Sequence, residues 1–217
     1  MTDIRELFCG AADATTPLLA EPVLVKRFDG PSALAEFTVR GLTGHLLRAM
    51  TSVEGYLDRP EPDSGSGGHE PIPAAAYYAI VAGAGAELHS ELHQSIRQRG
   101  LEAASGPPGE FAALWTETAQ RLRARLAAEP AGRLVQVYAD LVLTLDDYLV
   151  TRLVELVVHA DDLALSLGVA RPQLPDDATG LVITTLVEVA RRLYGDAAVL
   201  TALTRRERDV VQALRVI

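Results

Sequence analysis

The chain contains one cysteine, Cys9, so it has no disulfide framework. A lone thiol suits a reducing compartment, and the expectation is a cytoplasmic protein with Cys9 as a structural residue. No uncharged apolar run approaches the ~18 residues that a membrane span needs. The first residues, Met1 to Leu7, carry Asp3, Arg5 and Glu6, which argues against a signal peptide. Positive charge is in deficit: 20 Lys and Arg stand against 29 Asp and Glu, a formal charge of −9. Such a surface repels phosphate backbones, so general nucleic-acid binding is not expected. The one basic cluster, Arg205, Arg206 and Arg208, is interrupted by Glu207 and followed by Asp209, and reads as a self-neutralised turn. Phosphate-cradling motifs are missing too, because Gly65-Ser66-Gly67-Gly68 lacks the strand and lysine of a P-loop. There is no nucleophile elbow and no paired-cysteine zinc site.

What remains is apolar and helix-forming. With 217 residues, 48% of them hydrophobic, the chain can bury a core without staples. Aromatics are scarce, at 5%, while Ala and Leu, both strong helix formers, are abundant. Residues 3–20 could form a first helix, weakened by Gly10 and by Thr15-Thr16-Pro17. Val23 to Phe28 reads as extended, with a turn at Gly30-Pro31. Thr38 is a plausible N-cap for a helix whose apolar face is Val39, Leu42, Leu46, Ala49, Val53 and Leu57, stopping near Arg59-Pro60. Pro60 to Pro73 is a loop. A long helix is expected from Pro73 to Arg99, closed by Gly100, with Gly83 and Gly85 weakening it or marking a helix crossing. Phe111 to Ala128 is amphipathic, with Phe111, Leu114, Thr118, Leu122 and Leu126 on one side. Val135 to Val142 is ambiguous between strand and helix. Helices follow at Leu145 to Leu167, ended by Gly168, then Asp176 to Tyr194 and Asp196 to Leu203. The tail Val210 to Ile217 could be a strand or a helix end. The architecture expected is mainly all-α, a four-helix bundle with additional short helices.

The chemistry concentrates in Tyr148 to Leu167. Most of this helix is apolar, but Tyr148, Arg152, Glu155, His159, Asp162 and Ser166 recur at steps of four and three, one stripe on one face. Ionisable groups on a buried helix must face solvent, pair with one another or bind a cation. Glu155 and His159, at i and i+4, offer a carboxylate oxygen and an imidazole nitrogen on neighbouring turns. Asp162 could accept the second imidazole N–H and fix the ring. By itself this pattern is equally that of a surface ion pair. His45 lies at the edge of the apolar face of the second helix, and Gly44 beside it leaves room for a neighbouring helix. A lone histidine there reads as a core residue or as a third ligand from a facing helix. Two nitrogens and a carboxylate would leave positions open, the pattern of a catalytic metal. A rival set, Glu87, His89, Glu91 and His93, is surrounded by polar residues and reads as a solvated face. His69, in the Gly/Ser loop, reads as an inert loop residue or a mobile acid or base.

Phe37 to Met50, FTVRGLTGHLLRAM, resembles the segment bearing the first metal-ligand histidine in the DinB-like, mycothiol-dependent maleylpyruvate isomerase family. Val150 to Gly168, VTRLVELVVHADDLALSLG, resembles that family's later E-x-x-x-H-x-x-D-L segment, and Gly195 to Arg208 is similar to C-terminal segments of actinobacterial members. The resemblance implies a DinB-like four-helix bundle with a divalent metal between helices, held by His45, Glu155 and His159. Zinc is the usual ion, with nickel, iron or manganese as alternatives that this donor set does not separate. It implies Asp162 behind His159. Arg152 would orient an anionic substrate group or serve as a partner for Glu155 within the stripe. The bundle would span 1–168 and a C-terminal helical extension 169–217. Phe37 stands where the family has Trp, and the stretch after Gly168 is short for the named isomerase's separate C-terminal domain. The implied activity is metal-dependent use of mycothiol, either S-transfer to an electrophile or thiol-assisted isomerisation. The partners would then be a small thiol and an electrophilic substrate, in a monomer or homodimer without nucleic acid or membrane. The alternative is a non-catalytic, metal-stabilised binding or regulatory bundle.

Overall fold

In the computed structural model, residues 3–62, 70–84, 91–204 and 216 are described, except for the side chains of 82–84 and 91–93. The helices among them are α1 Ile4–Leu19, α2 Pro22–Arg27, α3 Val39–Leu57, α4 Ala74–Ala84, α5 Glu91–Ala103, α6 Phe111–Ala128, α7 Leu145–Leu167, α8 Asp176–Tyr194 and α9 Asp196–Thr204. Two three-residue strands, β1 Leu134–Gln136 and β2 Val142–Thr144, pair antiparallel with Val135 opposite Leu143. The fold is therefore mainly all-α, as the composition implies.

Helices α1, α3, α6 and α7 form a closed ring: α1 packs on α6 and α7, and α3 packs on the same two from the other side. Their facing side chains make the core, with Phe8, Leu42, Leu46, Trp115, Leu122, Leu149 and Leu153 fully buried. On α6 the inward residue is Trp115, whose indole N–H donates to the Ala12 carbonyl at 2.8 Å, while Leu114 is left 39% exposed. Four residues of the expected stripe, Phe111, Thr118, Leu122 and Leu126, are buried, and only Leu114 yields its place to Trp115, because burying the large indole outweighs burying one leucine. Outside the ring, α5 lies along α3, and α8 packs on α4 and α7.

Several boundaries follow the chain's own signals. Thr38 caps α3 by accepting from Gly41 N–H, Thr144 caps α7 by accepting from Asp147 N–H, and Gly168 ends α7 with φ 70°. The first helix expected over 3–20 is α1, which runs through Gly10 and Pro17, and the Thr15 hydroxyl donates to the Ala11 carbonyl at 2.9 Å. Other expectations need correcting. Val23 to Phe28 is not extended: Pro22 occupies the first helical position, where its fixed φ starts α2 and its missing N–H costs nothing. The ambiguous 135–142 segment is the β1–β2 hairpin, turned by Ala139 and Asp140, both at φ 58°.

Of the single helix expected over 73–99, the described parts are α4 and α5, on either side of 85–90, which lie outside the described residues: α4 packs against α8 and α7, and α5 against α3. Gly100 does not close α5 but lies within it, at a crossing with α3. A Cβ on Gly44 would stand 1.8 Å from the Gly100 carbonyl oxygen, and one on Gly100 would stand 2.8 Å from the Gly41 carbonyl oxygen. The two backbones touch there, and only glycine permits it. His69, Glu87, His89, Arg205, Arg206, Arg208 and the tail's 210–215 and 217 lie outside the described residues, as do the side chains of Glu91 and His93.

Candidate metal centre

The polar stripe of α7 faces inward, toward α3 and α4. At one end, Tyr148 is buried and its hydroxyl donates to Ser52 Oγ of α3 at 3.0 Å. At the other, Ser166 Oγ donates to the Asp162 carbonyl at 2.7 Å and accepts the Ala33 N–H at 2.8 Å. Between them, Glu155 Oε2 lies 2.8 Å from His45 Nε2 and 3.4 Å from His159 Nε2. The two imidazoles meet edge to face, with centroids 4.5 Å apart. Among the described residues, His45, Glu155 and His159 are the one group of three such side chains whose ligand atoms all lie within 4.8 Å of one another. Each side chain is 16–17% exposed, sheltered but reachable by a small ion or ligand.

Neighbours orient these groups. Asp162 Oδ2 sits 3.1 Å from His159 Nδ1, which leaves Nε2 to point at the cluster. The Tyr78 hydroxyl of α4 lies 2.8 Å from both Glu155 Oε1 and the Thr151 carbonyl oxygen. Tyr78 thereby engages one carboxylate oxygen and turns the other toward the histidines. His45 has no comparable support, since its Nδ1 is buried without a hydrogen-bond partner. Its ring is fixed instead by contact with His159 and by the edge of Phe37, 6.3 Å away.

The electrostatics follow from this geometry. Burial pushes the Glu155 carboxyl up, but hydrogen bonds to His159 and His45, with the charge of Arg152, hold it well below the usual carboxylate range. For His159, burial works against the charged form, yet Asp162 and Glu155 outweigh it and raise the imidazole to about 9. For His45 burial prevails over Glu155, and its pKa falls. At neutral pH the cluster is one carboxylate, one imidazolium and one neutral imidazole. A proton thus occupies the place that a cation would take, and cation binding would release it. Two imidazole nitrogens and one carboxylate oxygen, converging and backed by Asp162, fit a divalent transition-metal ion.

Arg152 does not pair with Glu155 within the stripe. Its Nε donates to Thr151 Oγ1 at 3.1 Å, and its guanidinium lies over the Tyr148 ring, 5.2 Å from the centroid. The residue that sequence reasoning missed is Tyr78. Nothing in the Ala-rich run around Tyr78 sets it apart from Tyr77.

A family model, the mycothiol maleylpyruvate isomerase N-terminal domain, matches residues 9–164. Neither a curated protein nor a solved structure matches the chain. The match takes in α3 and most of α7, including His45, Glu155 and His159. With most of its length covered, the chain belongs to this DinB-like family.

Proposed function

We propose that this member of the mycothiol maleylpyruvate isomerase family is a divalent-metal-dependent enzyme that uses mycothiol, a small thiol, as cosubstrate. The observation that carries the reading is the convergence of His45 Nε2, Glu155 Oε2 and His159 Nε2 from two helices of the ring. His45, Glu155 and His159 would hold the metal, zinc first and nickel, iron or manganese next. With a divalent ion bound there, these residues would present it to a thiol, whose pKa it would lower so that thiolate would be available at neutral pH. Asp162 keeps the His159 ring in one orientation, and Tyr78 keeps Glu155 from rotating. Arg152, whose guanidinium lies over the Tyr148 ring on the same helix face, would orient an anionic group of the substrate. The thiolate sulfur then forms a bond to an electrophilic carbon. Loss of a leaving group from that carbon completes S-transfer, whereas re-expulsion of the thiol after rotation completes an isomerisation. The bundle 1–168 carries the site, with 169–217 as a packed extension, in a monomer or homodimer. Among the described residues no helix is long and apolar enough to cross a membrane.

The test is metal analysis of the purified chain together with thiol consumption, using mycothiol with chlorobimane or maleylpyruvate. The expected result is about one divalent ion per chain and turnover that His159→Ala abolishes while circular dichroism stays helical. A chain refolded with zinc, nickel or manganese that retains none overturns the metal. Metal-dependent stability without turnover would instead identify a non-catalytic, metal-stabilised module.

A further inference from the structure

His45 is the least supported donor of the cluster. One hydrogen bond joins its Nε2 to Glu155 Oε2, and Nδ1 is buried without a partner, so hydrogen bonding alone does not fix the plane of the ring. Contacts on its sides must do so. Two aromatic rings meet it: His159, itself a donor of the cluster, at 4.5 Å between centroids, and Phe37 at 6.3 Å with the two planes 75° apart. Phe37 belongs to the loop 28–38 between α2 and α3, so it reaches His45 from outside the helices that carry the donors. Its half-buried ring lies along the same face of α3. A Cβ on Gly41, one turn before His45, would stand 3.6 Å from Phe37 Cδ1.

The loop is built to keep Phe37 there. The Gly30 carbonyl accepts the Val39 N–H at 2.9 Å, the Phe37 carbonyl accepts the Ser32 N–H at 3.0 Å, and Pro31 stands opposite Thr38. At the tip, the Leu34 carbonyl accepts the Phe37 N–H at 3.2 Å, which closes a four-residue turn with Glu36 third at φ 67°. Glycine is the usual residue in that conformation, yet glutamate adopts it here, immediately before Phe37. The loop is also tied to the end of α7. Ser166 Oγ accepts the Ala33 N–H at 2.8 Å, and the Ser166 carbonyl accepts from Arg27 Nη1 at 2.9 Å. The same serine hydroxyl donates to the Asp162 carbonyl, and the Asp162 carboxylate holds His159. One loop therefore touches both halves of the cluster: His45 through Phe37, and the support of His159 through Ser166.

We propose that Phe37 is a positioning residue for His45, and that the loop 28–38, anchored on Ser166, is the strap that keeps the α3 donor in register with the α7 donors. A phenyl ring offers no ligand atom, so Phe37 acts only through His45. Its effect on metal binding rests on the function proposed above. Its hold on the His45 ring does not.

The experiment is NMR of the full chain, stripped of metal with chelator and dialysed. It reads the long-range proton–nitrogen correlations of the histidine rings, with His45 assigned by comparison with His45→Gln. The wild type should show one sharp set for His45. Phe37→Ala should broaden or split that set, and Phe37→Tyr should restore it. Ser166→Ala frees the strap at its anchor on α7 and should broaden the set less. A merely structural role would lower the urea midpoint of these variants and leave the His45 set sharp. A single sharp set in Phe37→Ala, shifted or not, overturns the proposal, as does a set already broad in the wild type. If Phe37→Ala fails to fold, a wild-type set in Ser166→Ala overturns it. Zinc titration of the same samples against a chromophoric chelator should show affinity about tenfold or more lower in Phe37→Ala. A wild-type chain that binds no zinc sinks the function above and leaves the hold on His45 standing. Zinc binding by the wild type, with a sharp His45 set in Phe37→Ala, does the reverse.

Discussion

His159 and His45 face the same carboxylate oxygen, yet they are held differently. His159 is engaged at both ring nitrogens, by Asp162 and by Glu155, on the helix that also carries both partners. His45 is engaged at one nitrogen only, and its other nitrogen is buried without a partner. The α7 half of the site is therefore set by hydrogen bonds within one helix. The α3 half is set by how α3 packs, above all where its backbone touches α5 at Gly44 and Gly100. One half is preorganised, and the other depends on a helix crossing.

This contrast can be broken at several points. Glu155→Ala removes the atom both halves share and leaves the His159 imidazolium with Asp162 alone. Metal binding should be lost altogether, read by metal analysis, and retention of a full metal complement would show that Glu155 is not the hub. Gly44→Ala attacks the α3 half without touching a donor. Its Cβ has no room, so α3 and α5 must separate, at a cost of about 1–3 kcal/mol in overpacking. The urea midpoint should fall and metal affinity should fall with it. An unchanged midpoint would mean that the crossing yields easily and does not position His45. Asp162→Asn attacks the α7 half and should weaken metal affinity about 10–100-fold, as losses behind a ligating histidine do. If Asp162→Asn titrates with metal like the wild type, the preorganisation argued for α7 is wrong. Tyr78→Phe frees Glu155 Oε1 and should have the smallest effect, about tenfold or less on the same affinity, with little change in melting temperature. A loss as large as that of Glu155→Ala would move Tyr78 from a positioning role to a central one.

The sequence showed the fold class and most helix ends, because these depend on nearest neighbours along the chain. Thr38, Thr144 and Gly168 act where they stand. Boundaries failed where tertiary packing overrode local signals. Gly100 looks like a stop, but α5 continues through it because α3 needs a Cβ-free neighbour there. Leu114 fits the apolar period of α6, yet Trp115 takes the inward position and its N–H finds the Ala12 carbonyl.

The candidate site divides the same way. The order of Arg152, Glu155, His159 and Asp162 along one face was determined by sequence alone, since 3.6 residues per turn makes neighbours of positions three and four apart whatever the helix packs against. Resemblance to a family pointed to His45, but nothing in the residues' spacing could. His45 and Glu155 are separated by 110 positions, and their 2.8 Å contact exists because α3 and α7 share a core at one register. The Tyr78 hydroxyl on Glu155 is likewise a product of tertiary structure. Helical periodicity acts over one or two turns. Meetings between helices depend on where backbones can approach, and in this protein two glycines decide that for α3 and α5.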